Sequence, residues 1–203
     1  MTVIKWAVVV ALFAVSSISA RAQGDRSEFS ADFAGFYQSR ASGQDVTDIP
    51  TYSGGLIANY RYHFSNWGAV EVNYSRNRYT QLYENSVGLI TSFTQATAQE
   101  VSMGFIFKFW SRFNGRLQPF AEGGAGGMFW SPIGGGSVGG PFNQNRAALL
   151  YGGGVDWKWF WHISVRGGYR ALLYTAPDFN VDGQFTNKRT EMREPYLGLT
   201  YRF

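Results

Sequence analysis

The feature that most constrains this chain is a period of two. In its last ten residues, EPYLGLTYRF, the apolar side chains Leu197, Leu199, Tyr201 and Phe203 occupy alternate positions, with Gly198, Thr200 and Arg202 between them. That spacing predicts a β-strand with one apolar face. Seven further stretches alternate in the same way: residues 29–38, 52–64, 69–79, 93–109, 117–129, 147–160 and 162–174. Aromatic residues make up 18% of the chain and Gly contributes 25 positions, a composition that suits short strands and turns better than helices.

The connections alternate in length. They are short after the second, fourth and sixth stretches, and long at residues 40–51, 80–92, 130–146 and 175–190. Short turns at one end and long loops at the other predict an all-β, eight-stranded antiparallel up-and-down transmembrane β-barrel. The third long loop, SPIGGGSVGGPFNQN, is Gly-rich and is expected to be flexible.

Alternation does not say which face is wet, since a soluble barrel with an apolar interior has the same period. Three features favour the membrane form. Charged positions share their face with glycines in the fifth and sixth stretches, which fits a narrow, filled, polar lumen better than a solvent surface. Trp67, Trp110, Trp157, Trp159 and Trp161 all fall at or near the short-turn end, as an aromatic girdle at a membrane interface would. The last strand runs to Phe203, which is expected to close the barrel against the first strand and to sit in that aromatic belt.

The first residues, MTVIKWAVVVALFAVSSISARAQ, combine Lys5, an apolar run too short to span a bilayer, and an Ala20-Arg21-Ala22 cleavage pattern. They predict a signal peptide over 1–22 and a barrel over 23–203, with location in the bacterial outer membrane. The chain has no Cys, so neither a disulfide nor a thiolate enters the chemistry. The formal charge of +4 falls to roughly +2 without the leader, which gives no reason to expect a nucleic-acid partner.

The terminal strand resembles the C-terminal assembly signal of bacterial outer-membrane barrels, with Phe203 last, Tyr201 two before it, and Leu199 and Leu197 in phase. The resemblance implies recognition by the barrel-assembly machinery. Residues 23–203 as a whole resemble the small outer-membrane β-barrel superfamily, which includes the membrane domain of outer-membrane protein A and the opacity-type porin-like proteins. Membership implies a fold and a lipid and lipopolysaccharide environment, but little biochemistry.

Three patterns could carry chemistry. His63-Phe-Ser65 and His162-Ile-Ser164 resemble the His-x-Ser pair of an eight-stranded lipid A deacylase, yet both lie beside short turns, away from the outer leaflet, without an acid in place. Asp178-Phe-Asn180-Val-Asp182-Gly183 matches half of a Ca²⁺ loop, but Arg189 stands where the closing Glu belongs, so a turn is expected. No catalytic residue, metal or cofactor is assigned. The third pattern is the set Glu71, Glu100, Lys108, Glu122, Asp156, Lys158, Arg166, Arg170, Glu194 and Arg202, which share lumen parity. Eight strands leave room only for side chains, so these charges are expected to pair and plug the barrel. Asp156 and Arg166 lie five residues either side of Trp161, which puts them opposite each other in a hairpin.

The expected function is non-enzymatic: a monomeric outer-membrane barrel serving envelope structure or surface interaction through its long loops. A small ion or solute pore is the alternative, and a lipid A-modifying enzyme is the third class.

Overall fold

The computed structural model describes residues 26–43, 46–85, 90–133, 142–179 and 188–203. The leader and its cleavage site, most of the Gly-rich third loop, and Asn180 to Gly183 of the Ca²⁺-like stretch lie outside the described residues.

Eight strands form the wall: β1 (Ser27–Gln38), β4 (Ser53–His63), β5 (Gly68–Asn85), β6 (Ile90–Lys108), β7 (Leu117–Pro132), β8 (Gln144–Phe160), β9 (Ile163–Thr175) and β10 (Arg189–Arg202). All neighbours are antiparallel. The ring closes through β1 on β10, where Phe29 faces Tyr201 and Phe33 faces Leu197, and through β5 on β6. No helix occurs among the described residues. The backbone of Phe203 exchanges two hydrogen bonds with Ser27, at 2.8 and 3.2 Å, which carries the β1–β10 ladder past the last strand residue.

The loop end is more ordered than the alternation predicts. The first long connection carries a small hairpin, β2 (Ala41–Gly43) and β3 (Val46–Pro50), and β3 pairs with β5 where β4 has ended. The stretch expected as a loop at 80–92 is largely strand: β5 and β6 stay paired up to Glu84 and Ile90, with an irregularity at Tyr83/Glu84. Tyr79, Gln81 and Tyr83 keep the inward phase there and are buried. Their polar groups hide the alternation from a reading that equates inward with apolar or charged.

The turns at the other end are tight. In the β4–β5 turn, Gly68 N–H donates to Ser65 Oγ at 2.8 Å. In the β6–β7 turn, Phe113, Asn114 and Gly115 all take left-handed φ (52°, 55° and 81°), a conformation that glycine adopts freely, asparagine tolerates and phenylalanine disfavours. Trp161 reverses the chain between β8 and β9 with φ 45°.

Inside, the barrel has two regimes. The loop half is an apolar core that includes Phe36, Ile57, Met128, Trp130, Leu150, Leu172, Met192 and Tyr196. The turn half is charged, with only Ala69, Ile106 and Phe120 as its apolar packing among the described residues. A uniformly polar lumen is therefore not what forms. Around 148–150 and 171–173 both parities are apolar, so Leu149 and Leu173 point outward while Leu150 and Leu172 fill the interior. Glycines set the bore where large side chains cross it. A Cβ at Gly168 would lie 2.6 Å from Tyr196 Oη, and one at Gly152 would lie 2.8 Å from Arg170 Cβ.

Candidate functional site

The charged interior draws on inward positions of all eight wall strands. Register brings Glu28 opposite Arg61 and Arg202, Arg61 opposite Glu71, and Asp156 opposite Arg166. Neighbouring pairs alone would form separate cross-strand bridges. Curvature of the wall joins them across the axis. Arg166 Nε lies 2.7 Å from Asp156 Oδ1, Nη1 lies 3.1 Å from Glu71 Oε2, and Nη2 lies 3.1 Å from Glu28 Oε2. Arg61 Nε lies 2.6 Å from the same Glu71 oxygen, and its Nη1 lies 3.1 Å from Asp156 Oδ2. Two guanidiniums thus knit three carboxylates into one layer. The planar fork of Arg allows this, because each guanidinium offers donors in several directions. Phe120 lies beneath them, with Arg61 Cζ 4.5 Å and Arg166 Cζ 5.6 Å from its ring centroid.

A second, smaller layer lies toward the loop end. Arg170 Nε contacts Glu194 Oε2 at 2.6 Å, and its Nη2 contacts Glu100 Oε2 at 2.6 Å. Ser75 and Ser102 donate to Glu100 at 2.9 and 2.6 Å. Both carboxylates are fully buried. Asp32 is held by neutral donors: Asn59 Nδ2 donates at 2.5 Å and Ser30 Oγ at 3.3 Å.

Two charges of the expected set stand apart. Lys158 is exposed at the turn-end mouth and makes no ion pair among the described residues. It is the last in-register lumen position of β8, opposite Ser164, before the register with β9 slips between Lys158 and Phe160. Glu122 is buried, but it lies outside both pairing layers and its Oε1 has no hydrogen-bond partner among the described residues. Lys108 sits at the edge of the turn-side layer, 3.4 Å from His63 Nε2 and 4.0 Å from Glu28 Oε1.

Sequence reasoning missed Arg61, Glu28 and Asp32, although each carried the signal that located the others. Arg61 has the phase of Asn59 and the opposite phase to Tyr60 and Tyr62. Glu28 sits one residue before the first recognised stretch, in phase with Ser30 and Asp32.

The other candidate patterns take structural positions. His63 points inward, its Nε2 lying 2.9 Å from Glu28 Oε1, while Ser65 Oγ accepts the Gly68 N–H, so the two do not meet. The Asp178 carboxylate accepts from Gln144 Nε2 at 2.6 Å and Arg146 Nη2 at 3.3 Å, and Phe179 beside it is fully buried in the apolar core. This segment caps the loop end together with Asp48 of β3, whose Oδ2 accepts from Gln38 at 3.2 Å and Gln81 at 2.9 Å.

Outside, the wall is apolar on all eight strands. Phe33, Leu56, Val72, Met103, Phe129, Leu149, Tyr169 and Leu197 are exposed. Trp67, Trp110, Trp157, Trp159 and Trp161 are exposed at the turn end. Leu197, Leu199 and Tyr201 face outward on β10.

No family model and no curated protein matches the chain. Solved structures do. Neisserial surface protein A superposes with TM-score 0.59 at 16% identity, over 87% of this chain and 97% of that one. The outer-membrane protein OprG from Pseudomonas aeruginosa gives TM-score 0.63 at 12% identity, over 88% and 96%. The outer-membrane protein AlkL, solved in lipid bilayers, gives TM-score 0.50 at 13% identity, over 88% and 90%. With sequence so diverged and architecture so alike, what is shared is the barrel itself: this chain has the fold of the small eight-stranded outer-membrane β-barrels.

Proposed function

We propose that the chain is an integral outer-membrane protein whose barrel is sealed, so that it serves as a membrane-anchored scaffold for its loop end rather than as a channel or an enzyme. One observation carries the reading: the wall is apolar outside on every strand, while most of its paired charges are locked inside. Along β8 the outward positions from Leu149 to Trp159 cover ten residue steps. That is about 34 Å of strand, or about 26 Å along the normal at a tilt of about 40°, which matches an apolar band of about 25 Å. Arg78 and Arg193 are exposed in the loop-side halves of β5 and β10, nearer to where lipopolysaccharide headgroups would lie. The tryptophans mark the other boundary, at the periplasmic side. Leu197, Leu199, Tyr201 and Phe203 serve as the signal for the assembly machinery, and the barrel is a monomer.

Two seals in series support the closed reading: the Arg61–Arg166 layer and the apolar core above it. Purified barrel in planar bilayers should give no steady conductance, and membrane fractions should hold a heat-modifiable form. Reproducible channels in the wild type would replace the sealed reading with the small ion pore. Failure to fractionate with membranes would remove the outer-membrane reading itself.

A further inference from the structure

At the turn end the barrel opens into a vestibule of about 480 Å³, a volume in the range of small-ligand sites. Arg26, Lys108, Lys158 and Arg202 line it, and Asp156 is its one acidic lining residue among the described residues. That carboxylate is already spent, because both its oxygens accept from Arg166 and Arg61. The neighbouring Glu28 is also oversubscribed, shared among Arg202, His63, Arg166 and Lys108. Lys158 and Arg26 make no ion pair among the described residues. The tight turns around the mouth add Arg112 and Arg116 and no carboxylate.

Solvated rim cations are ordinary, but Lys108 is not one of them. It is more than nine-tenths buried, lines the cavity, and has as its nearest carboxylate an oxygen 4.0 Å away that other cations also claim. A buried ammonium left incompletely compensated is costly. It becomes favourable when an anion enters beside it. Ser164 adds a hydroxyl donor on the same wall.

We propose that this vestibule is a binding site for a multivalent oxyanion of phosphate type, held by Lys108, Lys158, Arg26 and Arg202. The chemistry is shared by two sources: a free phosphate or pyrophosphate, and the headgroup of an anionic phospholipid at the rim. The site does not depend on whether the lumen conducts, nor on which side of the membrane the turn end faces.

The test uses the full barrel in nanodiscs of purely zwitterionic lipid, titrated with pyrophosphate and followed through the amide resonances of Asn66, Lys158 and Ser164. Saturable shifts are expected. Lys158→Gln and Arg26→Gln should each weaken binding about five- to tenfold, while Lys188→Gln at the opposite end leaves it unchanged. Lys158 and Arg26 are exposed, so their replacement spares the fold, and the heat-modifiable form checks this. If pyrophosphate gives no response but added anionic lipid shifts the same resonances, in a Lys158-dependent way, the headgroup is the ligand. No response to either probe, or responses indifferent to Lys158→Gln and Arg26→Gln, would overturn the proposal.

Discussion

Arg170→Met tests the ionic packing of the barrel in its cleanest form. The loop-side layer holds one cation between two carboxylates, Glu194 and Glu100, each with an oxygen 2.6 Å from the guanidinium. Methionine keeps most of the side-chain volume and removes the charge. Two fully buried carboxylates then face each other with only Ser75 and Ser102 as donors. Breaking a buried pair in this way costs about 3–5 kcal/mol. With a urea slope of about 2 kcal/mol per M, the unfolding midpoint should fall by about 2 M. The triple variant Arg170→Met/Glu100→Gln/Glu194→Gln removes the whole charge set. Replacing a complete buried triad with uncharged groups is close to neutral, so most of the loss should return. Urea unfolding of the barrel in vesicles, followed by tryptophan fluorescence, reads both numbers. A single variant that loses less than about 1 kcal/mol would show that water reaches this layer and screens it. A triple variant no better than the single would show that Arg170 acts through packing instead.

Other outcomes follow from the same structure. Burial pushes the Asp48 carboxyl up to about 8, with the Gln81 amide opposing. Because the folded value is raised from an ordinary 3.8, hairpin docking is strongest below that value and weakens progressively until pH reaches about 8. Amide exchange of β3 should therefore speed up between about pH 4 and about pH 8 in the wild type, beyond the intrinsic rate, and level off above, and this should not occur in Asp48→Asn. Deleting Phe203 removes two backbone hydrogen bonds to Ser27, and the yield of heat-modifiable barrel should drop; an unchanged yield would dismiss the assembly role. The chain lacks Cys, so Ser42→Cys and Asn66→Cys can be labelled cleanly on whole cells. Ser42→Cys should react with an impermeant thiol reagent and Asn66→Cys should not, and the reverse pattern would invert the orientation.

What the sequence determined by itself was local. Period two is a property of a single strand, so the eight wall strands and their outward Leu, Val and aromatic faces were legible. Hairpin pairing is nearly as local, and the equal spacing about Trp161 sufficed to set Asp156 against Arg166. Only the closed barrel decided the rest. Arg61 meets Asp156 across 95 residues, and Arg166 meets Glu28 across 138, because strand tilt and closure set which inward side chains share a level. Parity gives a face but not a depth, which is why Lys158 lies at the open mouth, while Leu150 and Leu172, of the same phase as Arg170, build an apolar core. The small hairpin on β5 was hidden for a related reason. Its inward anchor is Asp48, and a buried carboxyl served by Gln38 and Gln81 becomes intelligible only once those strands stand side by side.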